Sequence, residues 1–279
     1  MRRYLLLLYS LLFIVACDSI SEDDRYIAVS NTHPGTPADS DSTVSAVEAR
    51  GVLIEDFTGQ RCVNCPNAAT MIERLQTAYG EDKVVAVSIH GGELAFNGTE
   101  KAVGLRTPLG DEYNDYWQVS AWPKGMVNRS GTLADVDQWF TLVNAASQLT
   151  SPLKLSVNTQ LTGSTAQDGS TAVLNISVSA DALDNVEGYL QLWLTESGIV
   201  ALQSMPDGSV NREYVHNHVL RTAINGTWGE SFKAMKGTNV SKNFTLKLDP
   251  AWNVDQLSVV AFVYNNDGVQ QVREKEVNS

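Results

Sequence analysis

At 279 residues the chain has room for one large domain or two modest ones, and 43% hydrophobic with 19% charged residues gives it the means to build a packed core. Against 32 Asp plus Glu stand only 20 Lys plus Arg, a formal charge of −12, which excludes a phosphate backbone as main partner because such binding needs clustered cations. The three cysteines, Cys17, Cys62 and Cys65, are an odd number, so each asks for its own explanation.

Residues Met1 to Ala16 place Arg2 and Arg3 before an apolar run, Leu5 to Val15, that is shorter than the roughly 20 helical residues of a bilayer span. This reads as an export signal. Ile14-Val15-Ala16-Cys17 resembles the lipobox of bacterial lipoproteins, which implies a lipid on the Cys17 thiol and a mature chain beginning there. An ordinary secretory signal with an unmodified cysteine is the alternative. Removing Met1 to Ala16 takes away two arginines and no acid, so the charge moves from −12 to −14. Residues 17–49 are rich in Ser, Thr, Asp and Pro and read as a tether, whose 30-odd residues reach about 30 Å. His33 is an incidental member of it. Ser21-Glu22-Asp23-Asp24 resembles signals that direct envelope lipoproteins to the outer surface, and a solvated linker is the plain alternative.

Folding begins near Gly51. Val52 to Phe57 is a short apolar-rich run before Thr58-Gly59, and predicts a buried strand and a turn. Cys62-Val63-Asn64-Cys65-Pro66 follows. Cys65, Ala68, Ile72, Leu75 and Tyr79 then recur three or four apart, which predicts a helix stopped by Gly80, with Pro66 tolerated in its first turn. Lys83 to His90 predicts a second strand, and its unbroken Val84-Val85-Ala86-Val87 predicts cover on both faces. These elements make a βαβ unit. Cys62 is expected at the helix N-terminus, where free amides and the helix dipole favour a thiolate, with Cys65 one turn deeper. That spacing suits an attacking and a resolving thiol; a non-catalytic structural disulfide is the alternative. Zinc wants four ligands and there is no second CxxC, while haem attachment needs a histidine where Pro66 stands. Neither a P-loop, a nucleophile elbow nor a dinucleotide fingerprint occurs, so no cofactor and no metal is expected.

Gly51 to Leu149 resembles a thioredoxin-like domain. Asp56-Phe57 stands before Cys62 at that family's spacing for a buried acid, and Ser120-Ala121-Trp122-Pro123-Lys124-Gly125-Met126-Val127 resembles the segment carrying its cis-proline. The resemblance implies Cys62 as nucleophile, Cys65 as resolving thiol, Pro123 as shaper of the groove and Asp56 as proton acceptor for Cys65. Glu55 adjoins Asp56, so only one of the two is expected to point inward, and Asp56 is chosen. It further implies a third strand entered at Pro123, a turn at Asn128 to Gly131, a fourth strand, and a closing helix from Asp135 to Leu149 with Val136, Phe140 and Val143 inward. Arg61, Val63-Asn64 and Trp122 depart from the family's usual residues. The long span from His90 to Asp111 lies beside the expected active edge, either gating it or forming a plain surface loop. The chain after the tether also resembles the outer-membrane-protein-28-related lipoproteins. The marks are Glu55 to Pro66, the Pro123 to Arg129 stretch and Val215-His216-Asn217-His218-Val219-Leu220-Arg221. This implies an outer-membrane or cell-surface lipoprotein; the CxxC pair adds the expectation of protein thiols or disulfides as partners, with a surface protein bound without catalysis as the alternative.

After Pro152 the period becomes two. Leu153–Val157, Val173–Val178, Leu190–Leu194, Phe244–Leu248 and Val259–Tyr264 alternate between turns, which predicts six or seven strands in an antiparallel sandwich of immunoglobulin-like type. Two domains are therefore expected, a thioredoxin-like domain at 50–151 and a β-sandwich domain at 152–279. Ser204 to Trp228 breaks the alternation as an irregular excursion that could pack on the first domain. The His216, His218 pair would face one side of a strand, with a structural or surface role favoured over metal binding for want of a third ligand. His90 stands at a strand end. Trp117, Trp122 and Trp139 are read as core and groove packing.

Overall fold

The computed structural model describes residues 48–163 and 172–277. Residues 1–47, with the export signal, Cys17, His33 and most of the expected tether, lie outside them. In chain order the first elements are β1 (Glu48–Ala49), β2 (Val52–Thr58), α1 (Cys65–Tyr79), β3 (Val84–His90), α2 (Pro108–Tyr116), β4 (Lys124–Val127), α3 (Val136–Ser147) and β5 (Thr150–Ser151). Then come β6 (Leu153–Thr162), β7 (Val173–Ala182), β8 (Val186–Glu196), β9 (Ile199–Ser204), β10 (Val210–His216) and β11 (Val219–Ala223). β12 (Glu230–Ala234), β13 (Asn239–Lys247), β14 (Leu257–Asn265) and β15 (Gly268–Glu276) complete the order.

β2 and β3 pair in parallel from Val52↔Val84 to Thr58↔His90, with α1 as their crossover, and β4 runs antiparallel on the other edge of β2. These strands continue into the C-terminal half. The sheet order is β15-β14-β8-β11-β3-β2-β4, with β12 sharing an edge of β8. The seam is short: Val219 of β11 pairs in parallel with Ser88 of β3, and Ser88 N donates to His218 O at 2.8 Å. β13, β7 and β6 form a separate antiparallel sheet. Its inward residues, among them Leu155, Ile176 and Val178, bury against Leu192, Leu194 and Phe232 as the expected β-sandwich core.

Alternation along β2 assigns its two faces. Val52 and Ile54 pack with Ala68, Ile72 and Leu75 of α1 and Trp139 and Val143 of α3. Leu53 and Phe57 pack on the opposite side with Trp193, Val260 and Phe262. The strand is covered on both faces.

Three expectations need correction. No strand follows the turn at Asn128 to Gly131 before α3: the chain makes one bridge, Gly125↔Ala134, and then turns at Asp135, whose N donates to Gln138 Oε1 at 3.0 Å to start the helix. The inward face of α3 is Trp139, Val143 and Ala146; Phe140 is 49% exposed and meets only the rim, with its ring 5.9 Å from that of Tyr79. Trp139, one position earlier, fills the space the phenyl was expected to take. Among the described residues the C-terminal part holds ten strands rather than six or seven, because 199–234 folds as four further strands. Most of β10 is exposed, which is why its alternation is faint. Among the described residues no helix is long and apolar enough to cross a membrane.

Candidate disulfide site

β2 ends at Thr58, and the chain turns through Gly59 and Gln60 toward α1. Gly59 is required by close approach, since a Cβ there would lie 2.5 Å from Leu94 O. Cys62 N donates to Gly59 O at 3.0 Å, and Cys65 N to Cys62 O at 3.3 Å. The two cysteines form a disulfide with Cα atoms 5.4 Å apart. Cys65, followed by Pro66, opens α1; Cys62 sits in the turn before the helix rather than within it.

Two segments brace this turn. From the 91–107 loop, Leu94 O accepts Arg61 N at 2.9 Å, Phe96 lies under the Arg61 guanidinium at 5.0 Å, and Leu105 N donates to Gln60 Oε1 at 2.8 Å. From the other side comes the β9–β10 hairpin, whose second strand lies inside the stretch expected to break the alternation. Its Gln203 Nε2 donates to Cys62 O at 2.8 Å, and Ser204 N donates to Gln60 O at 2.8 Å. Gln60 Nε2 returns a bond to Leu202 O at 3.1 Å. With both braces in place Cys62 is 2% and Cys65 3% exposed.

Behind Cys65, at the C-terminal ends of the parallel strands, lies a cavity of about 50 Å³. Asp56 and Cys65 face it together with His90, His216 and His218. Cys62 and Pro123 are not in its lining. Pro123 follows a cis peptide bond at the entry to β4. Burial raises the Asp56 carboxyl to about 8, so it carries a proton at neutral pH. Burial also lowers His90 to about 3, helped by His216 and Arg221 and opposed by a hydrogen bond with the Ser88 backbone. His216 falls to about 4, burial again outweighing the Leu202 and Ala201 backbone. Both rings are neutral at pH 7.

Glu55 is buried as well, against the expectation that only one neighbour points inward. Because both faces of β2 are covered, Glu55 enters the opposite layer and meets Arg129 at 3.0 Å. The H-x-H pair also departs from expectation. His216 ends β10 and His218 has a left-handed φ of 57°, so a backbone bend rather than strand alternation brings both rings to the cavity. Gln60 and Gln203, both fully or almost fully buried, carried no sequence signal. Trp122 Nε1 donates to Asn114 Oδ1 at 3.1 Å, and Trp117 and Trp122 pack on the core, as read. No group of three or more His, Cys, Asp or Glu suited to a metal occurs among the described residues.

Residues 110–279 match the family model of outer membrane protein Omp28. The chain belongs to the Omp28 family. The matched region takes in the hairpin, His216 and His218, while Cys62 and Cys65 precede it. Among solved structures, HBP35 of Porphyromonas gingivalis aligns over 83% of this Omp28-family chain and 76% of its own, with a TM-score of 0.60 at 18% identity, a likeness of fold. A domain of the outer membrane lipoprotein Omp28 from the same organism aligns over 46% of this chain and 89% of its own, with a TM-score of 0.32 at 21% identity. No curated protein matches the chain.

Proposed function

We propose that this outer-membrane-family chain is a surface-displayed lipoprotein, anchored through Cys17, whose thioredoxin-like half exchanges disulfides with envelope or extracellular proteins. The half in question is 50–151, and the sandwich at 152–279 supports it. One observation carries the reading: the Cys62–Cys65 disulfide opens a helix between parallel strands, over an unpaired buried carboxyl, Asp56, that is protonated at neutral pH. A leaving thiolate needs such a proton source. In the reducing direction, an incoming protein thiolate bonds to Cys62 Sγ and the Sγ–Sγ bond breaks. The electron pair leaves on Cys65 Sγ, which takes the Asp56 proton. Pro123 borders the approach to Cys62 in this reading.

Insulin reduction and reoxidation of reduced RNase test it directly. The unmodified chain should turn over and Cys62→Ser should fall to background; equal rates would overturn the reading. The anchor is tested separately, because Cys17→Ser should release the chain from the membrane fraction, and unchanged partitioning would exclude lipidation at that residue.

The near-complete burial of both cysteines favours a second reading, a binding lipoprotein whose disulfide only braces the turn. A disulfide potential below about −300 mV would favour it, since such a bond resists exchange.

A further inference from the structure

Eight buried side-chain polar atoms among the described residues have no protein partner, and four of them belong to residues that line the cavity behind Cys65. They are Asp56 Oδ1, His90 Nδ1, His216 Nε2 and His218 Nδ1. An isolated orphan can be tolerated, but four converging on one space cannot be left dry without a large desolvation cost. The space is lined by polar side chains, and about 50 Å³ is enough for a few waters. The walls grade outward. Asp56, Cys65 and His90 are buried, whereas Glu73 of α1 and Asn217 after β10 are exposed, so the cavity connects the disulfide to solvent along α1.

We propose that this cavity is the water-filled proton path of the disulfide, in which His90 and His216 hold the water that carries protons between solvent and Asp56. The inference rests on the exchange reading above. When Asp56 gives its proton to the Cys65 thiolate, a buried carboxylate remains, and a chain of hydrogen-bonded water returns one proton to it from outside. In the oxidising direction the same proton travels out. The two rings approach edge to face with centroids 5.6 Å apart, which fixes their orientation. Being neutral, each can accept a hydrogen bond from water at its unpartnered nitrogen. They are positioning residues, since neither touches a sulfur.

The other charged and titratable groups act around the path without blocking it. Glu73 stands at its mouth, and Tyr214, raised by burial and then by Glu73 and Asp56, lines the hairpin wall. Arg221 acts on His90 from β11, and His218, lowered by burial with Glu81 opposing, sits nearer the exterior. His216 reaches the path only because the C-terminal hairpin folds over the N-terminal half.

Two measurements on the full chain test the proposal. In the oxidised protein, infrared titration of the Asp56 carboxyl should give a midpoint near 8. In His216→Leu that midpoint should rise as water is excluded, and in His216→Gln, which keeps an acceptor, it should return. In the exchange assay, His216→Leu should slow the reaction at pH 7 about tenfold with an enlarged solvent deuterium effect, and His216→Gln should recover most of the loss. An unchanged midpoint and rate in His216→Leu, with an active unmodified chain, overturns the path and leaves the exchange reading standing. Rates equal to Cys62→Ser in the unmodified chain overturn the exchange reading and the path with it. Should His216→Leu fail to fold, His90→Leu set against His90→Gln carries the same comparison.

Discussion

Glu55 and Asp56 are neighbours on one strand, both carboxylic and both buried, and they are treated in opposite ways. Glu55 enters the layer between β2 and the C-terminal half, where Arg129 meets it with Nε and Nη2 at 3.0 to 3.2 Å. Tyr264, Phe262 and Trp193 surround that guanidinium at 4.5, 4.9 and 5.2 Å, so the pair is closed off from water by ring faces. Asp56 enters the layer under α1 and meets no cation; it keeps its proton instead. A buried acid can be made tolerable by a partner or by neutralisation, and the two solutions have different uses. The first makes a fixed joint within the N-terminal half, roofed by rings of the C-terminal half. The second leaves a group that can change state.

The largest effect should come from breaking the joint. Arg129→Met leaves Glu55 without its cation in an aromatic layer, and should cost about 3–5 kcal/mol in denaturant unfolding of the full chain. Adding Glu55→Leu to Arg129→Met should recover most of that loss, because removing both charges removes the desolvation penalty together with the attraction. A double variant no better than the single one would show that the guanidinium acts through its ring contacts and not through Glu55.

Much of this arrangement was legible in the residues, and the reasons for the exceptions are physical. The βαβ unit followed from apolar runs and a 3.6 period, and the CxxC could be placed at the helix start because a first helical turn tolerates Pro66. Asp56 was legible through its spacing from Cys62. Glu55 was not, because alternation assumes one covered face, and the covering of the second face is supplied by Trp193 and Phe262 from more than a hundred residues away. The shared sheet was hidden for the same reason: its seam is the short pairing of β11 with β3, too few residues to leave a pattern. His90, His216 and His218 were visible singly, yet their convergence depends on a backbone bend at His218 and on the hairpin's return to the first half. The part of the sandwich core built by β6 and β7, by contrast, followed from period two alone, since those strands bury one face.

A smaller and more diagnostic effect should come from the unpaired acid. In the unfolded chain Asp56 ionises near 4, whereas the folded chain holds its proton until about 8. Below pH 4 both states are protonated and the residue costs the fold nothing. Between 4 and 8 the unfolded chain alone sheds the proton, so stability falls as pH rises, and the loss is complete above 8. Asp56→Asn removes this titration. It should therefore stabilise the protein more at pH 8.5 than at pH 5, by a further margin on the order of 2–4 kcal/mol. His90 and His216, which titrate low when folded, weaken the fold as pH drops below their ordinary range near 6.5, but they are present in both proteins and cancel in the difference. Calorimetric melting of both proteins at the two pH values measures it. An equal gain at pH 5 and 8.5 would mean that Asp56 is already ionised in the folded chain, and the contrast with Glu55 would then be one of partner and not of proton.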